Sequence, residues 1–120
     1  MTTKSKMKKI ILTIYYIAIS YLLLKPGGDS IAPFIYFDKV VHLSFFAILG
    51  ILFSLNFRIN LKTIFIIACY GITIEILQHI MELGRSFDFF DIGADFVGLL
   101  AGIIIFYFIK KRLTHINVIN

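Results

Sequence analysis

The sequence predicts an all-α polytopic membrane protein: one bundle of four transmembrane helices with both termini in the cytoplasm. Three observations predict it. Of 120 residues 59% are hydrophobic and the mean hydropathy is +0.92, whereas soluble domains are about 45–50% apolar. Four apolar runs of roughly spanning length alternate with short polar segments. Lys and Arg are distributed unevenly between the two sets of connecting segments. The N-terminus, the 58–62 turn and the C-terminal tail hold four, two and three of them, against only Lys25, Lys39 and Arg85 elsewhere. Nine against three places both termini on the cytoplasmic side and the 25–39 and 84–91 loops outside.

The first run, Ile10 to Leu24, follows Lys4, Lys6, Lys8 and Lys9 and reaches spanning length when counted from Met7. A cleaved signal peptide is not expected, because no small-x-small site follows; the next residues are Lys25, Pro26, Gly27 and Gly28, which break the helix. The second run is Val40 to Phe57, the third Ile64 to about Leu83 and the fourth Ile92 to Ile109. Each must be helical, since in lipid every backbone N–H and C=O needs an internal partner. The chain thus divides into a basic segment (1–9), a membrane domain (10–109) and a basic tail (110–120). The 58–62 turn, with Arg58, Asn60 and Lys62, and the 84–91 loop are short. The second and third helices, and the third and fourth, should therefore be antiparallel neighbours. Cys69 has no partner for an internal disulfide and reads as a small packed apolar residue. The net charge of +5 flanks apolar runs, so membrane lipids are expected as partners and nucleic acid is not.

The acids point to function. Five of the seven carboxylates (Glu75, Glu82, Asp88, Asp91, Asp95) fall within a window of 21 residues, and Glu75 and Asp95 lie inside apolar runs. A charge at the bilayer centre costs roughly 2.5–3.5 kcal/mol even on insertion scales. At 100° per residue, Gly71, Glu75, Gln78, His79 and Glu82 share an arc of about 100°, and Asp91, Asp95, Gly98 and Gly102 one of about 60°. Asp38, Lys39 and His42 share a face at the start of the second helix. Three polar stripes at one depth fit together only if they face each other. Gly98 and Gly102 form a GxxxG pair on the aspartate face, expected to let the fourth helix approach the third beneath the polar site; a homo-oligomer contact is the alternative. Taken singly, Asp38, Lys39 and His42 are ordinary at a membrane boundary, Glu82 and Asp88 are expected to be solvated, and His115 is incidental. Arg85 either neutralises Asp88 or Asp91 or clamps an anionic headgroup in bidentate fashion.

Asp38-Lys39-x-x-His42, Glu75-x-x-Gln78, Gly84-Arg85, Asp91 and Gly98-x-x-x-Gly102, in this order and spacing, resemble the VanZ-like family of small bacterial membrane proteins over about residues 36–104. Asp95 stands where that family usually has Asn, His79 is outside the family pattern, and the proline that often precedes the Gly-Arg pair is absent. The resemblance implies a four-helix membrane fold in the bacterial cytoplasmic membrane and a role in the envelope; the founding member is linked to glycopeptide resistance, which is not carried over to this chain.

Three functions follow as expectations. In the first, Asp38, Lys39, His42, Glu75, Gln78, Arg85, Asp91 and Asp95 bind an anionic lipid or a lipid-linked cell-wall component, without cofactor or resident metal. In the second, the i,i+4 pairs Asp38/His42, Glu75/His79 and Asp91/Asp95 hold Zn²⁺ or Mn²⁺ for hydrolysis or transfer at a lipid headgroup. No nucleophile elbow, HExxH or phosphate-cradling glycine loop accompanies them. In the third, the polar cluster only locks the bundle of a structural or adapter protein.

Overall fold

A computed structural model describes residues 2–25, 34–81 and 87–119. It contains four helices long and apolar enough to cross a membrane: α1 (Thr3–Leu24), α2 (Phe37–Asn56), α3 (Leu61–Ile80) and α4 (Phe89–Ile119). No strand occurs among the described residues. Pro26, Gly27, Gly28, Glu82, Gly84, Arg85 and Ser86 lie outside the described residues.

Local chemistry moves the helix ends away from the edges of the apolar runs. Helix α1 starts seven residues before Ile10 because the Thr2 hydroxyl accepts the N–H of Ser5 (3.2 Å) and lysines are good helix formers. Helix α3 starts at Leu61 because Asn60 Oδ1 accepts the N–H of Thr63 (2.9 Å). Asp88, immediately before α4, accepts the N–H of Phe90 (2.8 Å), so that helix begins three residues before Ile92. Nothing after Ile109 stops α4: Lys110, Lys111 and Arg112 favour helix, and it runs for 31 residues. At 1.5 Å per residue that is about 46 Å, against a ~30 Å hydrocarbon core, so its C-terminal turns extend past the span.

The helices form a ring in the order α1–α2–α4–α3. Consecutive helices run antiparallel: Tyr15 Oη donates to the Phe45 carbonyl (2.7 Å) and Asn56 Nδ2 to the Lys8 carbonyl (3.3 Å), His42 and Phe46 lie beside Glu75 and Tyr70, and Glu75 and Gly71 lie beside Asp88 and Asp95. Helices α2 and α3 are antiparallel but not the close neighbours that their short connection predicts. No Cα of one comes within 8 Å of a Cα of the other. They face each other diagonally across the bundle, where Phe46 and Tyr70 meet with ring centroids 5.9 Å apart. The short turn limits the separation of the two helix ends; aromatic bulk sets the distance between the helices.

The tightest contact is instead between the parallel helices α2 and α4. A Cβ on Gly98 would collide with the carbonyl of Leu43, and one on Gly102 with that of Ala47. Gly50 does the same from the other side, where a Cβ would sit 2.6 Å from the Leu99 carbonyl oxygen. The glycine pair therefore packs α4 onto α2, not onto α3 as its sequence neighbourhood suggests. Lipid gives helices no hydrophobic reason to associate, so close backbone packing supplies the attraction. Helix α1 is held by Leu12, Ile19 and Leu23, which join Phe46, Leu49, Ile67, Ile74 and Leu99 in the core. Large apolar side chains point outward on every helix, among them Ile17, Phe65 and Ile104 at 66%, 69% and 67% exposure. That surface suits lipid and not water. Cys69 belongs to it: the thiol is exposed on the outer face rather than packed.

Candidate functional site

The parallel α2–α4 pair brings the two polar stripes together at the end of the bundle opposite the basic segments. Lys39 lies between three carboxylates. Its Nζ donates to Asp88 Oδ2 (2.7 Å), Asp38 Oδ2 (3.0 Å) and Asp91 Oδ1 (3.1 Å). Asp38 is the outermost of these and is exposed. Asp88, expected to be solvated, instead links three elements: it pairs with Lys39, caps α4 and donates its backbone N–H to Glu75 Oε1 on α3 (2.9 Å). Its hydrogen bond to the Lys39 ammonium holds its carboxyl below the ordinary value of 3.8, helped by the Phe90 N–H.

One helical turn deeper lies a second cluster. His42, Glu75, Asp91 and Asp95 are 1%, 0%, 7% and 3% exposed. His42 Nδ1 is 2.8 Å from Asp95 Oδ1, and His42 Nε2 is 3.9 Å from Asp91 Oδ2. Three buried atoms have no hydrogen-bond partner among the described residues: His42 Nε2, Glu75 Oε2 and Asp95 Oδ2. Most buried polar atoms in proteins do have one. One atom each from His42, Glu75 and Asp91 lie within 4.8 Å of one another, as do one each from Asp38, Asp88 and Asp91. Glu75 sits five residues before the end of α3, roughly 7 Å along the helix axis.

Other residues of the sequence-derived set lie elsewhere. Gln78 is buried but turned toward α1, where Nε2 donates to the Leu23 carbonyl (2.7 Å) and satisfies a helix C-terminus. His79 is exposed on the outer face of α3, so Glu75 and His79 do not converge. Arg85 and Glu82 lie outside the described residues. Gly71 leaves room for both Asp95 and Phe46: a Cβ there would meet Asp95 Oδ2 at 3.0 Å and Phe46 Cζ at 3.2 Å. Gly50 was not singled out in the sequence, although its spacing from Ala47 and Ser54 marks a small-residue face on α2.

Helices α3 and α4 pack less closely against each other than α2 and α4 do. Between α3 and α4 lies a cavity of about 240 Å³ lined by Phe46, Gly71, Ile92, Gly93, Asp95 and Leu99, among others. Its wall is apolar apart from Asp95. A Cβ on Gly93 would meet nothing within 4 Å.

The VanZ/LLP1 family model matches residues 2–110. The chain belongs to the VanZ/LLP1 family. The match covers all four spans and reaches well beyond the 36–104 region that carries the motif resemblance. Of the motif residues of this VanZ-like chain, Asp38, Lys39 and His42 from α2, Glu75 from α3 and Asp91 from α4 meet at the polar end, joined by Asp95; Gln78 does not. No curated protein and no solved structure matches the chain.

Proposed function

We propose that this VanZ-like protein sits in the bacterial cytoplasmic membrane with both termini inside, and that its outward-facing polar end binds an anionic lipid or a lipid-linked cell-wall component. Positive-inside counting supports the orientation, and Lys8 and Lys110 line one groove at the basic end. The observation that carries the binding reading is the cavity between α3 and α4. It is apolar along its wall and has Asp95 as its one ionisable lining residue, with an oxygen that has no partner among the described residues. A lipid chain fits the wall while its head reaches the acids. The described cluster is itself strongly acidic, five carboxylates to one ammonium, and Lys39 is fully engaged by three of them. An anionic head therefore needs a further positive charge, from Arg85 or from a bound cation.

Gly93→Leu tests this reading, because Gly93 lines the cavity and a Cβ there meets nothing within 4 Å. Lipids retained by the protein in native nanodiscs should include one enriched over the bulk membrane, and Gly93→Leu should remove the enrichment. Identical lipid profiles would contradict the proposal. A second reading, a hydrolase or transferase acting on the headgroup, is favoured by the convergence of His42, Glu75 and Asp91. It predicts release of a headgroup fragment from the retained lipid; the binding reading predicts none.

A further inference from the structure

The acidic end contains two carboxylate-rich triads, and they are completed differently. Asp38, Asp88 and Asp91 enclose the ammonium of Lys39, so that triad already has its cation. The deeper triad, His42, Glu75 and Asp91, encloses no protein cation among the described residues. His42 Nε2 and Glu75 Oε2 are buried there without a partner. A buried, unpaired carboxylate oxygen beside a second carboxylate is unfavourable both by desolvation and by repulsion.

We infer that His42, Glu75 and Asp91 bind one divalent cation of the Zn²⁺ or Mn²⁺ class, and that this ion receives the anionic oxygen of the lipid head. One imidazole nitrogen and two carboxylate oxygens form a donor set suited to those ions and unsuited to Cu(I). His42 Nδ1 lies 2.8 Å from Asp95 Oδ1; a neutral ring that donates Nδ1–H to this carboxylate keeps its lone pair on Nε2. A carboxylate behind a ligating histidine orients the ring and raises its basicity. Asp95 is thus a positioning residue, and the family's usual Asn at this place would keep the acceptor oxygen but lose the charge. Metal–ligand bonds of about 2.0–2.2 Å hold ligand atoms roughly 3.0–3.5 Å apart. The His42 Nε2 to Asp91 Oδ2 separation of 3.9 Å reaches that range by small side-chain rotations. Three protein ligands leave a coordination position for an outside oxygen. The role in holding the head rests on the lipid-binding reading above; the metal site itself does not.

The test uses the full chain in nanodiscs, purified through a tag without histidine, treated with chelator and titrated with Zn²⁺ and Mn²⁺ by calorimetry. Metal content after purification is measured alongside. The expected result is one site per chain, weakened at least about 100-fold by His42→Ala and by Glu75→Gln and about 10–100-fold by Asp95→Asn. His79→Ala and His115→Ala should leave it unchanged, because both imidazoles are exposed away from the cluster. Gln at position 75 keeps the side-chain volume and an oxygen for the Asp88 N–H, so that variant folds even if His42→Ala does not. Absence of stoichiometric binding, or binding indifferent to Glu75→Gln and Asp95→Asn, overturns the metal site. Lipid retention measured with and without chelator separates the two proposals. Retention that survives chelation rejects the ion's role in holding the head while leaving the lipid reading intact. Metal binding with no enriched lipid keeps the metal site and rejects the lipid reading.

Discussion

The two triads share Asp91 and lie one helical turn apart, yet among the described residues only the shallower one is neutralised from within. Lys39 reaches three carboxylates at 2.7–3.1 Å at the partly exposed rim of the bundle. His42, Glu75 and Asp91 converge in the buried interior and leave His42 Nε2 and Glu75 Oε2 unpaired among the described residues. A cluster that served only to lock helices together would be expected to close on itself, as the Lys39 cluster does. A half-satisfied polar network is worse for stability than an apolar core, and natural proteins keep such violations mainly at functional sites. On the reading proposed above, the difference separates a structural ion pair from a site arranged for a ligand.

Both triads depend on the register of α2 against α4, so the largest effect comes from breaking that seam. Gly102→Leu should lower stability by more than about 3 kcal/mol or prevent folding, because even its Cβ meets the Ala47 carbonyl. Gly93→Ala on the same helix should change stability by less than about 1 kcal/mol, which thermal unfolding in detergent will show. Next comes Lys39→Met, which leaves Asp38, Asp88 and Asp91 facing one another. It should also invert the pH dependence. In the wild type the Asp88 carboxyl is held below 3.8 by Lys39, so its contribution is present above the unfolded-state value and is lost as pH falls through the lower folded-state value. In Lys39→Met, acidification should stabilise instead, by relieving repulsion. A parallel fall of both proteins below pH 4 would show that Lys39 is not the partner that matters. Gln78→Leu should be smaller, about 1–2 kcal/mol, since it strips the Leu23 carbonyl of its donor. It should leave lipid and metal retention unchanged; loss of either would return Gln78 to the site.

Much of the fold was legible in the sequence because membrane physics is restrictive: four apolar runs of spanning length admit little but helices. The depth of Glu75 and Asp95 was legible for the same reason, since charges in hydrocarbon stand out. Which helices touch was not. Loop length argued for α3 as the partner of Gly98 and Gly102, whereas Leu43 and Ala47 of α2 receive them. A small-residue face fits any backbone that can approach it, and its partner is decided by where bulk such as Phe46 sits. The role of Asp88 was hidden because a carboxylate between two spans looks solvated until Lys39, distant in sequence, is placed beside it. Gln78 and His79 follow Glu75 by about one turn, but they stand about 100° apart on α3, which turns one to α1 and the other outward.

The most direct measurement is the thermal stability of Glu75→Gln against wild type, in detergent with chelator present and then with Zn²⁺ or lipid added. The amide keeps an oxygen for the Asp88 N–H and presents an N–H₂ toward the unpaired acceptors of the cluster. If the deep triad is a ligand site, the chelated variant should melt at or above the wild-type temperature, and added Zn²⁺ or lipid should raise the melting temperature of the wild type alone. A Glu75→Gln protein that melts well below wild type under chelation, with no ligand-dependent shift in either, would contradict the account and make the cluster a structural lock.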